Sequence, residues 1–149
     1  IDQAFRNGQG DFVHQQGPAP QQLEADGVGR VVAAVGDIVG PVAFSSLCAH
    51  RRWLDTDDAR RFMVAYRRGQ QLVIEESAAV LAGMMSPFLP EIELQVLTNT
   101  IGMYQQLGCW TGQAEISIQS YEQLLDVFEF AGLINERFDY RRCVVHPPA

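Results

Sequence analysis

Residues 5–37 read FRNGQGDFVHQQGPAPQQLEADGVGRVVAAVGD, and the parsing of this stretch decides the fold class. Asn7-Gly8 closes a short helical run, because glycine reaches the left-handed conformation that ends a helix. Residues 12–15 (FVHQ) follow a Gly/Asp turn and read as a short strand. Residues 16–20 (QGPAP) form a stiff loop, since each proline fixes its own φ and restrains the residue before it. Residues 21–26 fit a short helix, with Pro20 near its first turn and Gly27 just past its end. Residues 30–35 (RVVAAV) are an apolar, β-branched run. Beyond the Gly36-Asp37 and Gly40-Pro41 punctuation, residues 42–49 (VAFSSLCA) are a third strand candidate. Parsed this way, the first third of the chain is strand-rich.

From Thr56 the apolar period changes from two to 3.6. Thr56 is a good N-cap, and Asp57 and Asp58 favour the positive end of a helix. Phe62, Tyr66 and Val73, with Ala59 and Met63 beside them, predict one helix to about Glu76, weakened at Gly69. Ser77 caps a second helix through Met85. The SPFLP run at 86–90 stops it, and Pro90 is placed to start the next. That third helix carries Leu94, Leu97, Ile101 and Tyr104 in one stripe and stops at Gly108. A connector around Trp110 leads to Ser120-Tyr121-Glu122-Gln123, which has the spacing of a capping box. Its helix is expected to bury Tyr121, Leu124, Leu125 and Phe128 and to stop at Gly132. The tail to Ala149 reads as irregular.

The 149 residues are 47% apolar and 19% charged, enough for one real core and too apolar for disorder. The net charge of −7 disfavours nucleic acid and anionic lipid as partners. Cys48, Cys109 and Cys143 are odd in number and widely spaced, so they are no disulfide framework. One pair with a free thiol, or three buried thiols, both fit. No segment has the roughly 20 apolar residues needed to span a bilayer. The first residues lack a basic start and an apolar run, so they are no signal peptide. They read as the tail of a helix, and the expectation is a piece of a longer protein.

Several stretches, taken in order, resemble a known family. FRNGQGDFVHQQGPAPQQLEADGVGRVVAAVGD looks like a helix–Gly–Asp–strand–loop–Pro–helix–Gly-x-Gly–strand unit. GPVAFSSLCAHRRWLDTDDARRFMVAYRRGQQLV looks like a return strand and its following helix. LPEIELQVLTNTIGMYQQLGCW looks like a helix preceding a Trp, and SIQSYEQLLDVFEFAGLINERFDYRRCV like a closing helix and tail. The set is similar to the C-terminal half of the solute-binding proteins that serve ABC import of nitrate, taurine, alkanesulfonates and thiamine pyrimidines. The resemblance implies an α/β fold of the type 2 periplasmic-binding kind, with two lobes that close over a ligand. Residues 1–40 would end the second, distal lobe. Residues 41–149 would supply the return strand and C-terminal helices of the first.

By the same resemblance, the loop Gln15, Gln16, Gly17 and Pro18 would face the ligand, and so would Phe44 and Ser45 on the return strand. Carboxamides suit a polar organic solute, because each offers both donor and acceptor. Gln16 stands where family members often carry an acid, and Ala43 where a hydroxyl is usual. The implied partners are a small solute and an ABC permease, and the implied location is periplasmic or extracytoplasmic, with a secretion signal upstream. A homodimer of this piece is a further expectation, as cover for an exposed lobe face. The alternative is a cytoplasmic ligand-sensing effector domain of a regulator with the same fold.

Catalytic chemistry finds no support in the residues. Cys48-Ala49-His50 offers two metal ligands, but no CxxC or HxxxH pair completes a site. Gly27-Val28-Gly29 lacks the third glycine and following helix of a dinucleotide fingerprint. Relatives that build the thiamine pyrimidine ring use a cysteine-rich loop absent here. The four arginine pairs (51/52, 60/61, 67/68 and 141/142) read as solvated faces. No enzyme, cofactor or metal is therefore expected.

Overall fold

The computed structural model describes all residues from Ile1 to Ala149. Its regular structure is entirely helical: α1 (Asp2–Arg6), α2 (Ala19–Ala25), α3 (Gly36–Val39), α4 (Arg51–Leu54), α5 (Asp57–Glu75), α6 (Ala78–Met85), a 3-10 turn (Ser86–Phe88), α7 (Leu94–Gln106), α8 (Ile118–Phe130) and α9 (Tyr140–Cys143). More than half of the chain is helix and no strand forms, so the α/β, type 2 periplasmic-binding expectation is corrected to an all-helical fold. The cause lies in hydrogen-bond partners. A strand exists only when a neighbour completes its ladder, and β propensity measures fit to such a neighbour more than a backbone preference. Here the runs bond elsewhere. The Val31 amide donates to Glu24 Oε1 at 2.9 Å, and the Ala43 amide to the Ser120 carbonyl at 3.0 Å. Val32 is left 75% exposed.

Helix starts and stops follow local chemistry closely. Thr56 Oγ1 accepts from the Ala59 amide at 3.2 Å, and Ser77 Oγ from the Val80 amide at 3.4 Å. Gly108 and Gly132, with φ of 65° and 67°, follow the ends of α7 and α8. Two boundaries differ from expectation. α7 begins at Leu94, with Pro90 in the preceding turn. α8 begins one turn early: Ser117 is its N-cap and accepts from the Ser120 amide at 3.0 Å, so Ser120 lies inside the helix. The short helices α3, α4 and α9 were not expected from periodicity, which needs more than a single turn to register.

The chain forms two compact units, each discontinuous in sequence. The first comprises residues 1–34 and 76–109. In it α6 and α2 both pack against α7. Leu23, Leu81, Ala82, Val96, Leu97 and Ile101 are its buried apolar residues. Burying its leucines, valine and isoleucine contributes roughly 1.5–3 kcal/mol each. Arg6 braces the edge, pairing with Asp2 at 2.6 Å and Asp26 at 2.8 Å.

The second unit comprises residues 35–75 and 110–149. Here α4 packs on α5, and Ala59, Met63, Tyr121 and Leu125 are buried. Phe62, on the apolar face of α5, meets Trp53 edge-on and stacks on Tyr66, with centroids 5.9 and 6.2 Å away, and stays half-exposed. The tail is strapped to α8. Tyr121 Oη donates to the Phe138 carbonyl at 2.9 Å and Tyr140 Oη to the Ile116 carbonyl at 2.6 Å. Arg137 pairs with Glu122, Asp126 and Glu129. No helix is long and apolar enough to cross a membrane.

Candidate functional site

The loop from Gln15 to Pro18 belongs to the first unit and runs straight into α2. Its end is fixed by backbone bonds: the Ala19 amide donates to the Gln16 carbonyl at 3.2 Å, and the Gln22 amide to the Pro18 carbonyl at 3.0 Å. The two glutamines differ in their surroundings. Gln16 is exposed. Gln15 is half-buried and turned onto α1, where its Nε2 donates to Asp2 Oδ1 at 3.2 Å. Gln15 Oε1 is buried with no hydrogen-bond partner, an acceptor left open for a donor. The Asp2 carboxyl lies below its ordinary value of 3.8, held there by Arg6 first and by Gln15 second.

Beneath the loop is a polar cluster that the sequence reading missed. Gln21 is 3% exposed and Thr100 is 5% exposed. The Thr100 hydroxyl lies 3.3 Å from Gln21 Oε1 and 2.8 Å from the Val96 carbonyl, and Gln21 Nε2 donates to Met103 Sδ at 3.2 Å. Thr100 sits on the same face of α7 as Leu97 and Ile101, so an apolar stripe conceals it. The signal that could have found it is the polar interruption of that stripe.

Phe44 and Ser45 belong to the second unit, in an irregular segment, and both are exposed. The six predicted ligand residues thus divide four to the first unit and two to the second. Cys48 and His50 are exposed in the same segment as Phe44, and all three cysteines are free and exposed, so neither the pair nor the buried thiols is found. No three His, Cys, Asp or Glu side chains gather as metal ligands would. The second unit also holds an open cavity of about 350 Å³ lined by Arg67, Gln71, Ile74, Glu75 and Gly112. Gln71 Nε2 donates there to Glu75 Oε1 at 2.8 Å.

No family model matches the chain, and no solved structure matches it. Among curated proteins it is similar to the "Putative binding protein YtlA" of Bacillus subtilis (strain 168), with 23% identity over 146 residues. That alignment covers 97% of this chain and 44% of the relative, so the chain spans less than half the relative's length. The likeness is to a protein of that printed description, and the alignment extends over nearly the whole of this chain.

Proposed function

We propose that this chain is part of the solute-binding component of an ABC import system, taking a small polar organic molecule outside the cytoplasm and presenting it to a permease without chemistry of its own. The observation that carries the reading is the near end-to-end similarity to a protein described as a binding protein. The structure supports it with a carboxamide-bearing loop, Gln15-Gln16, mounted on a helix that is itself packed on α7. Such a loop offers donors and acceptors at once, as a small polar organic solute requires.

The test is a thermal-shift screen of the full-length protein against small amines, sulfonates and aminopyrimidines, followed by calorimetry on any hit. A true ligand at a hundred times its Kd stabilises the folded state by about 2.7 kcal/mol, which raises the melting temperature. No shift and no heat across the panel would remove the binding reading.

A further inference from the structure

We propose that α7 sets solute affinity by holding the Gln16-Gly17-Pro18 backbone in place, with Gly17, Gln21, Thr100 and Tyr104 as the positioning residues. This rests on the reading of the 15–18 loop as solute-facing. The geometry at Gly17 is the starting point. A Cβ on Gly17 would lie 2.9 Å from Tyr104 Oη, 3.0 Å from Thr100 Cγ2 and 3.3 Å from Gln21 Oε1. The glycine does not have a left-handed φ, so close approach, not backbone conformation, is what demands it here. Two of the three contacts come from α7, one turn apart, and the third from the first turn of α2. The loop backbone is therefore seated in a notch made by two helices.

The notch is polar where a core would be apolar. Thr100 and Gln21 are both buried, and the hydroxyl of Thr100 reaches the Gln21 carboxamide from α7. Apolar residues would fill this volume more simply. The pair instead favours one relative placement of the two helices, because moving α2 off α7 takes the buried Gln21 carboxamide away from both Thr100 and Met103. Gln21 lies three residues after Pro18, so fixing Gln21 fixes the end of the loop. A loop ordered beforehand loses less freedom on binding, which strengthens affinity without adding a contact. Gln16 is the exposed residue that this seating presents.

The experiment uses the full-length protein, Gly17→Ala and Thr100→Val, with Gly69→Ala as a control. The control makes the same glycine-to-alanine change at a site where a Cβ meets nothing within 4 Å. Amide hydrogen exchange is measured at Ala19 and Gln22, whose amides are bonded to the loop carbonyls of Gln16 and Pro18, and calorimetry follows taurine, ethanesulfonate and 4-aminopyrimidine. The expected result is at least tenfold faster exchange at these two amides in both variants, with α8 amides unchanged, and at least tenfold weaker binding of whichever probe the unaltered protein binds. The control stays at the unaltered protein's values. Unaltered exchange at these amides in either variant, or affinity within twofold in both, overturns the proposal. If the unaltered protein binds none of the probes, the transport reading loses its support, while the exchange data still decide whether α7 holds the loop.

Discussion

At the scale of single residues, the clearest electrostatic device is Arg6, which ties Asp2 and Asp26 together in the first unit. Asp2 is held below its ordinary value of 3.8 mainly by Arg6, and Asp26 below the same value by Gln22 first and Arg6 second. Carboxyls depressed in the folded state contribute stability that is present above their unfolded value and is lost as pH falls through the folded one. Stability should therefore decline below about pH 4, and Arg6→Gln should flatten that decline. Melting temperature followed from pH 6 to pH 2.5 checks this, and parallel curves would refute it. Both carboxyls are solvent-facing, so the effect should be small and weakened by salt. Arg137 makes a comparable clamp in the second unit, where Asp126 and Glu129 push its guanidinium further up from its ordinary value. Arg137→Gln should loosen the tail against α8, seen as faster amide exchange at residues 138–143.

At the scale of elements, caps and turns decide where helices lie, and packing decides which face is inside. Ser77 is the N-cap of α6 through its bond to the Val80 amide. Ser77→Ala should cost about 1 kcal/mol in urea denaturation, the usual value for a lost cap. Gly69, in the interior of α5, has open space around its missing Cβ. Gly69→Ala should stabilise the chain by about 0.5–1 kcal/mol, by restricting the unfolded state and removing a weak helix former. A destabilised Gly69→Ala would mean that α5 needs flexibility at that point. Helix α6 is apolar all round, AAVLAGMM, and only Leu81 and Ala82 are buried. Its Val80 and Met84 remain half-exposed, and Phe88 just beyond is 82% exposed.

At the scale of the whole molecule, two units each carry their own buried residues. Leu97 belongs to the first and Leu125 to the second. Truncating either to alanine should cost about 2–5 kcal/mol, the range for buried leucines whose surroundings relax only in part. Urea denaturation reads the cost, and a value below about 1 kcal/mol would show that the site collapses without loss. The exposed apolar side chains at Val80, Met84 and Phe88 in the first unit and at Phe130 in the second make a further expectation. Residues 1–149 expressed alone should bind a hydrophobic dye and associate as concentration rises, since apolar patches of this kind seek cover. Dye fluorescence and light scattering measure it, and a monomer indifferent to both would refute it.

Most signals that are local along the chain were legible in the sequence, although the Ser117 cap of α8 and the start of α7 at Leu94 were not. Thr56 and Ser77 as caps, Gly108 and Gly132 as stops, the short helix with Pro20 in its first turn and the long one from Asp57 all depend on residues within a turn of one another. The charge of −7 was equally plain. What only the tertiary structure decided was the fate of the β-type runs at 12–15, 30–35 and 42–49. A strand is a relation between distant segments, so its residues cannot make one unless a partner arrives, and here Val31 and Ala43 bond to Glu24 and Ser120 instead. The candidate site divides in the same way. Gln16 was named through the family resemblance of its loop, but the need for glycine at 17 could not be read from the sequence, because Thr100 and Tyr104 reach it from more than 80 residues away and only packing brings them there.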